Sequence, residues 1–156
     1  MMSARTMAVA AALLVLAACE GLFSGSRETS QPLTQAADGS FAPLRFQLTP
    51  EMNPIAFNLH GETVPNIMES TRWNSYRATL TLDGTTVASG AFNVNNPGAR
   101  EQEHGGPFAQ TMFYVSVPRA GEYELAIAIT GPKEITIEAP RVELRRNVQP
   151  PAAKAQ

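Results

Sequence analysis

Two histidines and the methionines near them are the side chains best suited to metal chemistry. His60 stands eight residues before Met68, and His104 stands eight residues before Met112. Imidazole and thioether groups together form a soft ligand set that suits copper. If the fold gathers these side chains, the protein binds copper or another small ligand. The plainer interpretation is two histidines exposed to solvent.

The sequence offers little support for catalysis. It has no Gly-x-Ser-x-Gly motif, and with two histidines any catalytic triad must use His60 or His104. Glu101 and Glu103 could in principle act as an acid pair, but acids on a glycine-flanked loop are usually solvated. We therefore predict a protein without enzymatic activity and without a cofactor.

The single cysteine of the chain, Cys19, follows Leu16-Ala17-Ala18 at the end of a short apolar run. The segment Leu16–Cys19 resembles the lipobox of bacterial lipoproteins, in which small residues precede an obligatory cysteine. The resemblance covers the first nineteen residues. It implies that residues 1–18 are a signal peptide that is removed. It also implies that Cys19 carries diacylglycerol on its sulfur and a further fatty acid, such as palmitate, on its amino group.

The length of the apolar run agrees with an export signal. Ala8 to Leu16 spans about nine residues, far short of the roughly twenty that cross a bilayer. A lone cysteine cannot form an internal disulfide, whereas two or three acyl chains make a permanent anchor, at about 0.8 kcal/mol per buried methylene. Under the sorting rule of enteric lipoproteins, Glu20 after the cysteine implies the outer membrane. We expect a lipid-anchored protein on its periplasmic face.

Charge argues against nucleic acid as a partner. The chain has 12 basic and 14 acidic residues, and removal of residues 1–18 leaves 138 residues with 11 basic against 14 acidic. A chain of that length suits one domain. Three arginines near the C-terminus, Arg141, Arg145 and Arg146, favour a solvated face of a final strand. The expected partners are the membrane, through Cys19, and an envelope protein or the cell wall.

Composition predicts flexible segments on both sides of a folded domain. Residues 19–40 are rich in Ser, Gly, Thr, Gln and Ala, as flexible tethers are, and such a tether would reach about 25 Å. Residues 149–156, with Pro150 and Pro151, look like a disordered tail. The folded domain is predicted to span residues 41–148.

Within that domain the apolar residues recur with a period of two, which is typical of half-buried strands. Asp83-Gly84 stands between two such runs and predicts a hairpin turn. Ala88 and Gly90 in the second run leave room for an opposing sheet. The longest break is Asn95 to Gln110. The apolar rows are Leu44, Phe46 and Leu48; Ile55, Phe57 and Leu59; Tyr76, Ala78, Leu80 and Leu82; Phe92 and Val94; Phe113, Val115 and Val117; Tyr123, Leu125, Ile127 and Ile129; Ile135 and Ile137; Val142 and Leu144.

These runs predict an all-β protein, a two-sheet antiparallel β-sandwich of about seven or eight strands. The segment Ala120-Gly121-Glu122-Tyr123 resembles the tyrosine corner of immunoglobulin-like sandwiches, in which the phenol bonds to backbone upstream. The final strand resembles those that close jelly-roll carbohydrate-binding modules. Either sandwich type fits the sequence.

Aromatic residues before the central hairpin are the candidate binding surface. Trp73 and Tyr76 could form a platform for a sugar ring or a partner protein, with Asn58, His60 and Arg77 on the same outward surface. The alternative is that these aromatics cover the core. The sequence thus favours an anchored binding or structural module, with a periplasmic copper-binding or glycan-binding protein as the alternative.

Overall fold

The computed structural model describes residues 24–63, 72–95 and 106–152. Within these ranges eight strands form two four-stranded antiparallel sheets, which confirms the predicted sandwich. Sheet A has the order β1-β8-β3-β6, and sheet B has the order β2-β7-β4-β5. The strands are β1 (Ser26–Pro32), β2 (Phe41–Leu48), β3 (Ile55–Thr63), β4 (Asn74–Leu82), β5 (Thr85–Val94), β6 (Gly106–Val115), β7 (Gly121–Lys133) and β8 (Ile137–Arg146).

The strand pairs are nested, which decides between the two predicted sandwich types. The first strand pairs with the last, β2 with β7, β3 with β6, and β4 with β5. This is the arrangement of a long hairpin rolled into two sheets, the jelly roll. The protein is therefore a jelly roll.

The core forms because the apolar side of every inner strand turns toward the opposite sheet. Ile55, Phe57 and Leu59 of β3 are fully buried, as their alternation predicts. Phe46 of β2 meets Phe57 edge to face across the two sheets, with ring centroids 5.3 Å apart. Each such buried side chain contributes about 1.5 to 3 kcal/mol, so the sheets are held mainly by this shared core.

Two predicted local features are confirmed. Asp83 and Gly84 have φ angles of 50° and 77°, the left-handed pair that a two-residue hairpin turn needs. The Tyr123 hydroxyl donates a hydrogen bond of 2.7 Å to the carbonyl of Arg119, which is the geometry of a tyrosine corner. Each feature fixes how the chain enters a strand, and each depends only on residues that are close in sequence.

The strand connections collect at two opposite ends of the sandwich. We call the first the Ser24 end: it carries residues 24–25, 49–54, 83–84, 116–120 and 147–152. We call the second the Trp73 end: there β3 and β5 end, β4 and β6 begin, and the β1–β2 and β7–β8 connections lie. The connecting segments are therefore divided between two opposite ends of the sandwich, which we also call its poles.

The predicted tether is wrong over most of its length. Ser26–Pro32 is strand β1, paired with β8 at the edge of sheet A, and Leu33 after it is buried. Because an edge strand buries few of its own side chains, its sequence shows no apolar alternation. The predicted tail also begins with an anchored residue, since the Gln149 backbone N–H donates to Ser24 Oγ at 2.8 Å. Residues 153–156 lie outside the described ranges.

Other boundaries also differ from the prediction. Strand β6 begins at Gly106, inside the segment predicted as the longest break. No helix in the described ranges has both the length and the apolar character that crossing a membrane requires.

Gly90 confirms the expectation that small residues in β5 make room for the other sheet. A Cβ at this position would lie 2.2 Å from the carbonyl oxygen of Met112 on β6. At this edge of the sandwich, the backbone of β6 in sheet A therefore lies directly against β5 in sheet B.

We expect Gly90→Ala to lower the free energy of unfolding by about 1 to 3 kcal/mol, because the added methyl overlaps a backbone atom that cannot rotate away. Urea denaturation measures the loss. Gly131→Ala in β7 is the matched control, since its Cβ would meet only the Ser75 side chain, at 3.1 Å. Equal losses in the two variants would contradict the close approach.

Candidate functional site

The outer face of sheet A holds a group of polar residues, of which Asn58, Glu143 and Arg145 are buried. Alternation along β8 turns Val142 and Leu144 into the core and Glu143 and Arg145 outward. Yet Glu143 and Arg145 are each only 2% exposed. The prediction that Arg145 lies on a solvated face is therefore wrong, because the start of the described chain covers it.

Glu143 is the centre of this group. Its carboxylate accepts hydrogen bonds from Arg27 Nε at 2.7 Å, His60 Nε2 at 2.8 Å and Arg145 Nη1 at 3.0 Å. Asn58 Nδ2 approaches the same carboxylate at 3.4 Å. The carboxylate thus joins β1, β3 and β8. We call these five residues the Glu143 network.

Arg145 extends the network to the first described residues. Its Nε donates to the Ser24 carbonyl at 3.0 Å and its Nη2 to the Gly25 carbonyl at 2.8 Å. The N-terminal end of β1 is therefore fixed to the sheet by a buried guanidinium.

Asn58 continues the network toward β6. Thr111 Oγ1 donates to Asn58 Oδ1 at 2.8 Å. Beside this pair is a cavity of about 20 Å³, room for roughly one water molecule. It is lined by Ser24, Ala56, Asn58, Thr111, Tyr114, Arg145 and Val148.

The charges of the network decide what Glu143 can do. Burial by itself would raise the pKa of Glu143, but the hydrogen bonds from His60, Arg27 and Arg145 outweigh burial and hold it well below its usual range. A carboxylate with so low a pKa is a poor proton acceptor near neutral pH. Its charge instead stabilises the surrounding donors.

The predicted common binding surface is wrong. Asn58 and His60 lie on the outer face of sheet A, with the His60 side chain 13% exposed. Arg77 lies on β4 of sheet B, where its Nη1 donates to Ser89 Oγ at 3.4 Å on the outer face. Outward side chains of the two sheets point to opposite sides of a sandwich, so these residues cannot share a surface.

Tyr76 is likewise not a surface residue. It is fully buried and stacks on Phe92 with ring centroids 5.5 Å apart. Burial raises the pKa of the Tyr76 hydroxyl, and a hydrogen bond from Asn74 at 2.8 Å partly offsets that effect. The aromatic platform is therefore reduced to Trp73.

The predicted copper ligands are also divided by the fold. Met112 belongs to the core between the sheets, whereas His60 lies on the outer face and bonds to Glu143. A copper site that gathers all four predicted ligands is therefore wrong, because His60 and Met112 lie on different sides of sheet A. Across the part of the chain that the structure describes, no group of three or more His, Cys, Asp or Glu could hold a metal ion. His104, Met68 and Cys19 lie outside the described residues.

An open depression of about 240 Å³ lies on the outer face of sheet B. Two of its three acids are engaged by one guanidinium: Arg45 Nη1 lies 3.0 Å from Glu122 and Arg45 Nε lies 3.7 Å from Glu124. The third acid, Asp83, is paired with Arg119. Such exposed pairs contribute about 0 to 1 kcal/mol. The depression is a solvated, mixed-charge surface.

The Trp73 end is organised by a residue that the sequence analysis missed, Asn74. Its Oδ1 accepts hydrogen bonds from the backbone N–H groups of Glu134, at 2.7 Å, and Ile135, at 3.0 Å. Its Nδ2 donates to the Ile135 carbonyl at 3.0 Å. Asn74 is fully buried and fixes the β7–β8 connection. Its place two residues before Tyr76, on the apolar side of β4, was the available signal.

Further bonds hold the exposed parts of this end. The half-buried Trp73 donates its backbone N–H to the Glu134 carboxylate at 3.2 Å. Asn95 Nδ2 donates to the Arg72 carbonyl at 2.9 Å, and Lys133 Nζ donates to the Ala37 carbonyl at 2.9 Å. These hydrogen bonds hold the chain around Trp73 in a defined conformation.

Comparisons with known proteins identify no family. No protein-family profile matches the sequence. No curated protein matches it either. A chain in the structure of the tripod from the baseplate of bacteriophage Tuc2009 is similar at 15% identity with a TM-score of 0.30, over 76% of this chain. The match covers 63% of that baseplate chain.

We expect Glu143→Gln to destabilise the fold by roughly 3 to 5 kcal/mol, because Arg145 would remain buried without its counter-charge. The loss should depend on pH. Since the folded pKa of Glu143 lies below the unfolded value of about 4.3, its contribution is present above that value and disappears as the pH falls.

Urea denaturation from pH 7 down to pH 3 measures both effects. The matched control is Glu124→Gln, which removes an exposed partner of Arg45 and should change stability by less than about 1 kcal/mol. An acid dependence of stability that is unchanged in Glu143→Gln would contradict the role of this carboxylate.

Proposed function

We propose that this protein is a lipid-anchored, non-enzymatic binding module of a bacterial envelope, located at the periplasmic face of the outer membrane. Its anchor is Cys19, and its partner-binding surface is the Trp73 end. The anchor is supported by the resemblance of Leu16–Cys19 to a lipobox. The binding surface is supported by the geometry around Asn74.

The four hydrogen bonds of Asn74 are the observation that carries the binding proposal. Three of them hold the β7–β8 connection beside Trp73 before any partner arrives, and the fourth goes to the Tyr76 hydroxyl. A surface that is already ordered loses little conformational entropy on binding. Tryptophan is among the residues that contribute most at protein interfaces, so a half-buried Trp73 on a fixed base suits an anchoring contact.

The charges around Trp73 favour a protein partner. Arg72, Lys133 and Glu134 are exposed at this end, so both signs of charge are present at the Trp73 end. Aromatic anchors inside a polar rim are the usual anatomy of a protein interface. We therefore assign an envelope protein as the partner.

Cell-wall glycan is the second candidate. An aromatic ring beside hydrogen-bonding groups can stack on a sugar, and Trp73 lies next to the Glu134 carboxylate. Jelly rolls also occur in lectins, although that point is an analogy of fold.

We expect Cys19→Ser to abolish the lipid anchor, because only the thiol can form the thioether. Mass spectrometry of the native protein should show acyl chains on Cys19 and no residues 1–18, and the variant should move from the membrane to the soluble fraction. Ala18→Gly, which keeps a small residue before the cysteine, is the control. An intact leader or a bare thiol at Cys19 would contradict the proposal.

We expect a photo-crosslinking residue at position 73 to capture one envelope protein in intact cells, whereas the same residue at Ser116, on the Ser24 end, should not. With that protein purified, Trp73→Ala should weaken binding about 30-fold, the effect of a 2 kcal/mol anchoring contact. Ser116→Ala should bind like the parent.

Isolated cell-wall sacculi test the second candidate. Sedimentation with sacculi that is lost in Trp73→Ala would assign glycan in place of a protein. Equal binding by Trp73→Ala and Ser116→Ala in both assays would rule out the Trp73 end as the binding surface.

A further inference from the structure

We propose that the Ser24 end of the sandwich rests on the bilayer, with Tyr114 among the lipid headgroups, so that the Trp73 end points away from the membrane. This inference rests on the proposed lipidation of Cys19. It adds an interaction surface and an orientation that lipidation alone does not imply.

The length of chain between the anchor and the fold carries the first step. Ser24 is the fifth residue after Cys19. Five residues span at most about 18 Å when fully extended. Strand β3 alone has nine residues, a length of about 30 Å. We call residues 20–23, which connect Cys19 to Ser24, the leash. The leash is shorter than the sandwich is long, so the Ser24 end stays near the bilayer.

Ser24 is held in the folded domain, so it does not add to the length of the leash. Its carbonyl accepts a hydrogen bond from buried Arg145 at 3.0 Å, and its Oγ accepts one from the Gln149 backbone at 2.8 Å. A Cβ at Gly25 would lie 2.3 Å from the Arg146 carbonyl oxygen, so the next residue is also held closely. Release of this segment would disrupt the Glu143 network.

Tyr114 supplies a surface suited to the headgroup region. It is the one large hydrophobic residue exposed among the described residues, at 39%. It lines the same small cavity as Ser24, so it stands where the leash begins. Tyrosine combines an apolar ring with a polar hydroxyl and is enriched at membrane interfaces.

The sequence of the leash agrees with a position at the bilayer. Two of its residues, Leu22 and Phe23, are apolar, and the transfer of apolar side chains out of water is favourable. They stand three and four residues after Cys19, the proposed anchor.

Charge at the Ser24 end indicates how the domain is seated. Arg119 is ion-paired with Asp83, and Arg146 Nε lies 3.1 Å from the Glu28 carboxylate. These arginines are already neutralised by acids of the same end. Seating should therefore depend on the leash and Tyr114, with little dependence on anionic lipid.

The experiment uses the full lipidated protein in vesicles. Ser116→Cys places a thiol on the Ser24 end and Thr136→Cys places one on the Trp73 end; both positions are exposed. Because acylation consumes Cys19, each new thiol is labelled selectively with an environment-sensitive fluorophore. Lipids that carry a spin label on the headgroup act as the quencher, in phosphatidylethanolamine vesicles with and without phosphatidylglycerol.

We expect loss of most of the fluorescence at position 116 and almost none at position 136, in both lipid mixtures. Adding Tyr114→Ser should restore much of the signal at position 116, and adding Tyr114→Phe should restore little. Melting temperatures near that of the parent confirm that each variant is folded.

The outcomes separate this inference from the proposed function. Lipidated protein that floats with vesicles but is quenched equally at both positions overturns the orientation and leaves the anchor standing. Quenching at position 116 that is unchanged by Tyr114→Ser overturns the role of Tyr114. Protein that lacks acyl chains by mass and does not float overturns the proposed function itself.

Discussion

The buried carboxylate of Glu143 is the interaction on which the rest of the structure depends. Two charged residues on the outer face of a sheet, Glu143 and Arg145, are almost fully withdrawn from water, and each is tolerable there only because the other is present. The same pair connects three strands and fixes the first described residues. One local charge balance thus positions the entire edge of sheet A.

The Glu143 network fixes residues at the Ser24 end of the sandwich. With β1 paired along β8, the first described residues lie at the Ser24 end, and the β7–β8 connection lies at the other end. There Asn74 performs a comparable task with a neutral amide, since it satisfies backbone groups of the β7–β8 connection. In both places a buried polar side chain orders an exposed segment.

Much of the fold follows from local patterns. Period-two alternation predicts strands such as β3 and β4, Asp83-Gly84 predicts the hairpin turn between β4 and β5, and Tyr123 predicts a corner bond that the structure contains. Strand β1 was not predictable in this way, because an edge strand takes its stability from hydrogen bonds to β8 rather than from its own apolar side chains. The burial of Arg145 had the same cause, since its cover comes from residues more than a hundred positions away.

The candidate site also combines features that local sequence predicts with features that depend on contacts between distant residues. The sequence by itself determined the all-β class and the outward or inward side of most strand residues, because those properties depend on neighbours in the chain. It also contains the segment Leu16–Cys19 that resembles a lipobox. Only the tertiary structure decided which strands share a sheet. That choice set His60 and Arg77 on opposite faces, placed Tyr76 and Met112 in the core, and gathered Asn74 with Glu134 beside Trp73. Strand pairing is a contact between distant segments, and a periodic pattern carries no information about its partner.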